Sequence, residues 1–174
     1  METKDLIQIH PGDCFFTKNS PLFDLPINVY QRIMSDDHKA EYGHCGTIID
    51  TEGTTFEALW KIKNQNIWEA YKGEKILIGR HCCMTPAKAK KGYDAVRHRL
   101  GQRYPWWRIP LMLIPPLARK VNLTGRGVCS ETMFKQLNKS GFPEYKWNGR
   151  TPDNGADLVK YDPDWEIIFE GIVK

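Results

Sequence analysis

A change of hydrophobic periodicity near residue 85 most constrains the fold that this sequence can adopt. Before it, short apolar and β-branched segments alternate with turn-forming residues, which predicts strands at 45–49, 54–60 and 75–80. After it, apolar residues recur at helical spacing behind Thr85 and Pro86, a pair typical of the start of a helix. The sequence therefore predicts an α+β protein.

The remaining elements follow the same signals. A second helix is predicted over 129–138 and a last strand over 165–169. A short helix is also predicted near 27–34. Turns are predicted at 64–66, 147–149 and 152–155. Because a chain of 174 residues without repeats or a linker suits one hydrophobic core, we expect a single domain over residues 1–174.

The charge balance argues against one class of function. The formal net charge of +4 favours anionic partners only weakly and falls well short of the basic stripe of a dedicated nucleic-acid binder. The first residues hold no apolar stretch of the secretory kind, and three prolines interrupt the short apolar run at 109–117. We therefore expect a cytoplasmic protein without a transmembrane segment.

The five cysteines raise the question of a thiol nucleophile. An odd count without a secretory signal argues against a disulfide framework. Cys129 stands at a predicted helix start, where the helix dipole and free backbone N–H groups favour the thiolate and can stabilise an oxyanion. A lone cysteine is more often a core residue, so the case for a nucleophile depends on a nearby base.

His44 is the histidine best placed to be that base. It enters a predicted strand, from which its imidazole can be held rigidly opposite the helix. Glu57 lies on the predicted partner strand, and residues on adjacent antiparallel strands come close when register and face agree. A carboxylate there would fix the tautomer of His44 and stabilise its imidazolium. A structural histidine and a solvated glutamate remain the alternatives.

A series of short motifs resembles a known family. In chain order they are Pro11-Gly12-Asp13, Tyr42-Gly43-His44-Cys45-Gly46-Thr47-Ile48, Phe56-Glu57-Ala58, Tyr71 with the strand that ends at Arg80, Leu100-Gly101-Gln102-Arg103-Tyr104, Val128-Cys129-Ser130-Glu131, and Thr151-Pro152 with Asp157-Leu158. This set is similar to the circularly permuted NlpC/P60-like cysteine hydrolases, the group of YiiX and lecithin:retinol acyltransferase. The order His, acid, Cys is the one that a permutation produces. Cys45 departs from the pattern, since an aliphatic residue is more usual after the histidine.

The resemblance implies both a fold and a reaction. The fold would be papain-like, an antiparallel sheet of about five or six strands packed against the helix that carries the nucleophile. Cys129 would form an acyl-enzyme, with His44 as base and Glu57 as its orienting acid, and no metal or organic cofactor is implied. Tyr104, Tyr42 and Ser130 would contribute to substrate binding or to the oxyanion site. The favoured activity is that of a cysteine peptidase or amidase, for example on cell-wall peptides.

Other interpretations stay open at this point. The same fold would also suit a lipid acyltransferase, a phospholipase or a thioesterase, and the Trp- and Pro-rich segment 106–117 is either core or an acyl-binding flap. A non-catalytic binding module is a further alternative, against which the intact Cys, His and Glu set argues. His81, Cys82 and Cys83 suggest zinc, but no second ligand pair accompanies them, so we expect a strand end with two buried thiols.

Overall fold

A six-stranded antiparallel sheet forms the centre of the described chain. The computed structural model describes residues 2–18, 41–103, 128–146 and 150–174. The strands are β1 (Cys14–Thr17), β2 (His44–Ile48), β3 (Thr54–Ala58), β4 (Ile62–Asn66), β5 (Lys75–His81) and β6 (Trp165–Ile172). Their order in the sheet is β4-β3-β2-β1-β5-β6, and every neighbouring pair is antiparallel. The predicted α+β class with an antiparallel sheet is confirmed.

The helices begin where the sequence supplies caps. They are α1 (Ile67–Ala70), α2 (Pro86–Val96), α3 (Cys129–Ser140) and α4 (Pro152–Tyr161). Helices α2 and α4 start alike, because the hydroxyls of Thr85 and Thr151 accept first-turn backbone N–H groups and a proline follows each. No helix in the described parts of the chain combines the length and the apolarity needed to cross a bilayer.

Alternate side chains of the strands enter two separate apolar clusters. Cys14 and Phe16 of β1 belong to the larger cluster, whereas Phe15 between them belongs to the smaller one, as the period of a strand requires. The larger cluster also receives Met133 and Leu137 of α3. Helix α3 therefore packs on one face of the sheet, which fixes the position of its N-terminus relative to β2.

The register of three strands separates the two ends of the sheet. His44, the first residue of β2, pairs with Thr17 of β1, and Thr17 pairs with Ile76 of β5. His81 is the last residue of β5, five positions beyond Ile76. At the usual rise of a strand this corresponds to about 17 Å. His44 and His81 therefore lie at opposite ends of the sheet.

The turn before β1 is held by a glycine and by an ion pair with a buried carboxylate. Gly12 adopts φ +96°, and a Cβ there would lie 2.6 Å from Cγ of Met84. The buried Asp13 carboxylate accepts hydrogen bonds from Nε of Arg80 at 2.7 Å and from Nη2 at 2.8 Å. It also accepts the backbone N–H of His10 at 2.8 Å. These contacts join the start of β1 to the end of β5.

Two predicted turns are wrong. Residues 64–66 complete β4 and pair with β3, because strand pairing outweighs the low β-propensity of Asn and Gln. Residues 152–155 form the first turn of α4 rather than a loop. Gly155 allows α4 to pack closely on β1, since a Cβ at this position would lie 2.6 Å from Cε1 of Phe16. The helix predicted near 27–34 and the turn at 147–149 lie outside the described residues.

Candidate active site

Cys129 is the first residue of α3 and follows Val128, whose backbone is extended. The N–H groups of a helix's first turn have no carbonyl partner within the helix, so partial positive charge gathers around this side chain. The Glu131 carboxylate accepts the backbone N–H of Val128 at 3.4 Å. Only 6% of Cys129 is exposed. The thiol therefore occupies the helix position that the sequence predicts.

His44 of β2 lies against Glu57 of β3. Nε2 of His44 and Oε2 of Glu57 are 2.7 Å apart, and both side chains are buried. Gly46 makes this contact possible, because it pairs directly with Glu57 and a Cβ there would lie 2.9 Å from Cβ of Glu57 and 2.6 Å from Phe15. Without a side chain at 46, the carboxylate reaches diagonally to the imidazole. The register thus brings the expected base and the expected acid together.

Two hydroxyl groups also bind the Glu57 carboxylate. The Tyr71 hydroxyl donates to Oε2, and the Thr55 hydroxyl donates to Oε1 at 2.5 Å. The rings of His44 and Tyr71 stack, with centroids 6.4 Å apart and planes inclined by 28°. A buried carboxylate needs such partners, because an unpaired charge in the interior is strongly unfavourable. Tyr71 and Thr55 therefore hold Glu57 in its charged form and in position.

Sequence reasoning assigned no role to either hydroxyl. Thr55 precedes Glu57 by two residues in β3, so the period of a strand puts both side chains on one face. That signal was available in the sequence. Tyr71 follows the short helix α1, and only the folded path of the chain brings its hydroxyl to Glu57.

These contacts shift the pKa values of Cys129, His44 and Glu57 so that the charged form of each group is favoured. Hydrogen bonds from the Cys45 thiol and from His44 lower the pKa of Cys129 well below its ordinary value, although burial opposes this. Burial disfavours protonation of His44, but its hydrogen bonds with Cys129 and Glu57 raise its pKa to about 10. Burial also disfavours ionisation of Glu57, yet the hydrogen bond and charge of His44 lower its pKa. These shifts favour a thiolate, an imidazolium and a carboxylate in the site.

Cys45 is a second thiol beside Cys129. Burial raises the pKa of Cys45 well above its ordinary value, and its hydrogen bond to Cys129 acts in the same direction. Cys45 therefore stays protonated and donates to the Cys129 thiolate. Cys45 thus contributes directly to the electrostatics of the site.

The other expected site residues have different surroundings. The Tyr42 hydroxyl donates to Oε1 of Glu170 at 3.3 Å. The Ser130 hydroxyl donates to the carbonyl oxygen of Arg150 at 2.7 Å and so ties the start of α3 to the chain before α4. Tyr104 and the segment 106–117 lie outside the described residues.

The expectation of two buried thiols after β5 is wrong. Cys82 and Cys83 are both exposed, whereas His81 is buried. The strand ends at His81 and the next two residues form a turn, so their side chains leave the sheet.

We expect Tyr71→Phe to lower the free energy of unfolding by about 1.5–3 kcal/mol at pH 7, because a buried carboxylate loses a hydrogen bond. The folded-state pKa of Glu57 is depressed, so its stabilising contribution is fully present above the ordinary value of 4.5. The contribution is lost as the pH falls through the folded-state value. Urea unfolding at pH 7 and at successively lower pH measures the difference between variant and wild type.

Tyr93→Phe is the matched control for this substitution. The Tyr93 hydroxyl accepts a hydrogen bond from Nδ2 of Asn64 at 3.2 Å in an exposed position. Its loss should change stability by no more than about 0.5 kcal/mol at any pH. Equal losses for Tyr71→Phe and Tyr93→Phe, or a Tyr71→Phe loss unchanged in acid, would contradict the assigned role of Tyr71.

Comparison with known proteins identifies a similar fold. The structure resembles the crystal structure of the metalloprotein yiiX from Escherichia coli O157:H7, designated DUF1105, with a TM-score of 0.59. The match covers 95% of this chain and 99% of that chain, at 15% sequence identity. The fold is YiiX-like. No family model matches the sequence, and no curated protein sequence matches it.

Proposed function

We propose that this protein is a cysteine-dependent hydrolase of the permuted NlpC/P60-like, papain-like type that cleaves amide bonds through an acyl-enzyme. The proposal is carried by one observation. The Cys129 thiol at a helix N-terminus hydrogen-bonds with an imidazole whose Nε2 is 2.7 Å from a buried carboxylate, and these contacts favour the thiolate. This is the arrangement by which proteins activate a cysteine nucleophile.

The first half of the reaction forms a thioester. The Cys129 thiolate attacks the carbonyl carbon of the substrate, and the carbonyl oxygen becomes an oxyanion. First-turn N–H groups of α3 donate hydrogen bonds to that oxyanion. The His44 imidazolium then gives its proton to the departing amine, which a neutral amine leaving group requires. Amine and thioester are the products of this half.

The second half returns the site to its resting state. His44, now neutral, takes a proton from a water molecule as that water attacks the thioester. Collapse of the second tetrahedral intermediate releases the carboxylic acid and the Cys129 thiolate, and His44 is again an imidazolium. Glu57 holds the ring through Nε2 during both halves, so that the imidazole stays beside the Cys129 thiol and the reacting groups.

The YiiX-like neighbour is described as a metalloprotein, which raises the question of a metal in this protein. The donor atoms of the candidate active site are already committed to one another. Nε2 of His44 is bonded to Glu57, and the imidazole also interacts with Cys129. This arrangement fits proton transfer better than a metal-ligand set, so the proposed reaction uses no metal at these residues. The group His81, Cys82 and Cys83 offers donors that converge elsewhere.

Turnover of two substrate classes tests the proposal. The protein is incubated with peptidoglycan-derived peptides and, separately, with phospholipid vesicles, and released amines and fatty acids are measured. We expect amine release from the peptides, and we expect prior alkylation with iodoacetamide near pH 6 to suppress it, because only a thiolate reacts readily there.

The alternatives predict other results. Release of fatty acid from the vesicles, with the peptides intact, would assign the site to lipid acyl chemistry. If neither substrate turns over and no acyl adduct forms on Cys129, the hydrolase proposal fails in favour of a binding module.

A further inference from the structure

The turn between β5 and α2 carries three metal-ligating side chains in sequence. A ring nitrogen of His81 and the sulfur atoms of Cys82 and Cys83 all lie within 4.8 Å of one another. The two sulfur atoms are 3.6 Å apart. In a tetrahedral site with zinc–sulfur bonds near 2.3 Å, two thiolate ligands are separated by about 3.8 Å. The two thiols therefore already have the spacing of one edge of a thiolate metal site.

A carboxylate stands beside this turn. Oδ1 of Asp164 is 4.0 Å from the sulfur of Cys82. The backbone keeps it there, because the N–H of Cys82 donates to the carbonyl oxygen of Asp164 at 2.8 Å and the next residue, Trp165, pairs with His81 across β5 and β6. The Asp164 N–H donates to Oδ1 of Asp162 at 2.9 Å, which further fixes the loop. The pairing of β5 with β6 therefore keeps the Asp164 carboxylate, a possible fourth metal ligand, beside Cys82.

His81 is positioned by the core. Its ring packs against Phe142, Tyr145 and Trp165, with centroids 4.2, 5.7 and 5.4 Å away. Nδ1 of His81 accepts the backbone N–H of Cys83 at 3.1 Å, which turns this edge of the ring toward the thiols. Ligation through Nδ1 would replace that hydrogen bond. The two thiols would therefore be the primary ligands of a cation at this turn, with His81 completing the set.

We infer that Cys82 and Cys83, completed by Asp164 and His81, form a binding site for a thiophilic divalent cation of the zinc class. Two sulfurs, one imidazole and one carboxylate are a donor set that zinc accepts in tetrahedral geometry. Binding releases the protons of the two thiols to solvent, and no oxidant or reductant takes part. Both thiols are exposed, so a cation reaches them without opening the core.

The inference does not depend on the proposed hydrolase. The turn lies at the end of the sheet opposite to His44, about 17 Å away along the strands. A bound cation would join the end of β5 to the loop before β6. It would act there as a structural tie rather than as a part of the candidate active site.

Titration with Co²⁺ under a phosphine reductant tests the site. Co²⁺ bound by thiolates gives sulfur-to-metal charge-transfer absorption in the near ultraviolet and, when tetrahedral, strong visible bands. We expect both in the full-length wild type, saturating at one Co²⁺ per chain. We also expect Zn²⁺ to displace Co²⁺ with loss of colour, since zinc has no d–d transitions. The midpoint of thermal unfolding should rise with either cation, because each binds the folded state.

Matched variants locate the ligands. The double variant Cys82→Ser/Cys83→Ser should lose the charge-transfer band. Asp164→Asn should weaken Co²⁺ binding by at least the roughly 10- to 100-fold that loss of a ligand's supporting partner costs. Cys129→Ser should keep the full stoichiometry and spectrum while it removes the proposed nucleophile, so failure of one proposal is distinguishable from failure of the other.

Any of three results would overturn the binding site, and a fourth would overturn its assigned ligand set. One is a wild type without the charge-transfer band at saturating Co²⁺. Another is a band retained in the Cys82→Ser/Cys83→Ser variant, and the third is a band lost in Cys129→Ser. If Asp164→Asn binds as tightly as wild type, the cation is held by the thiols without Asp164, and the assigned ligand set is wrong.

Discussion

Cys129→Ala should reduce turnover of the amide substrate by about 10⁴-fold or more, the scale on which removal of a nucleophile acts in hydrolases with a triad. The substitution removes the atom that would form the acyl-enzyme, and no hydroxyl or thiol replaces it. Water attack assisted only by His44 and the first-turn N–H groups of α3 would remain. Initial rates measured under conditions where wild-type turnover is linear give the ratio directly.

The variant must be shown to be folded. Cys129 contributes only a small buried side chain, so the thermal unfolding midpoint should stay close to that of the wild type. Cys14→Ala is the thiol control, because Cys14 of β1 is also buried but burial raises its pKa and favours the protonated thiol. That variant should keep its activity. Equal turnover by Cys129→Ala and wild type would end the case for a cysteine nucleophile.

His44→Gln should change the pH profile for alkylation of Cys129. In the wild type the pKa of Cys129 lies well below its ordinary value of 9.0, so the rate should be nearly flat between that lowered pKa and about pH 8. Without the imidazolium, burial keeps the thiol protonated, and the rate should rise about tenfold per pH unit up to its new pKa. The loss of alkylation rate should therefore grow as the pH falls, and it is smaller than the lost thiolate fraction alone would give, because a more basic thiolate is also a better nucleophile.

Cys45→Ala is the control that separates the two donors of the Cys129 thiolate. A thiol is a weak hydrogen-bond donor, whereas an imidazolium is charged. We therefore expect Cys45→Ala to keep the flat region and only to move its acid edge to higher pH. Rates are followed by mass spectrometry of the peptide that contains Cys129. A flat profile in His44→Gln would show that His44 does not set the ionisation of Cys129.

Hairpin signals made the strand half of the site predictable. The turn between β2 and β3 gives the pairing, and the pairing places Gly46 opposite Glu57. From that register a diagonal contact between His44 and Glu57 follows from strand geometry. The helical start at Cys129 was predictable as well, because glycines precede a segment of helical spacing.

Tertiary packing decided the features that the sequence did not reveal. Residues 64–66 carry turn-forming side chains, but their backbone pairs with β3 and so extends β4. Gly155 belongs to a segment of turn-forming residues, yet it lies in a helix. Because it has no side chain, α4 can approach Phe16 closely. The hydroxyl of Tyr71 and the exposure of Cys82 likewise depend on chain paths that no local pattern encodes.

The register that sets His44 and His81 at opposite ends of one sheet has an evolutionary consequence. Substitutions at sites that far apart and without shared partners usually have additive free energies. A lineage can therefore lose the cysteine pair after β5, or acquire it, without retuning the ionisation of Cys129. The residues at the two ends of the sheet can therefore be substituted independently of each other.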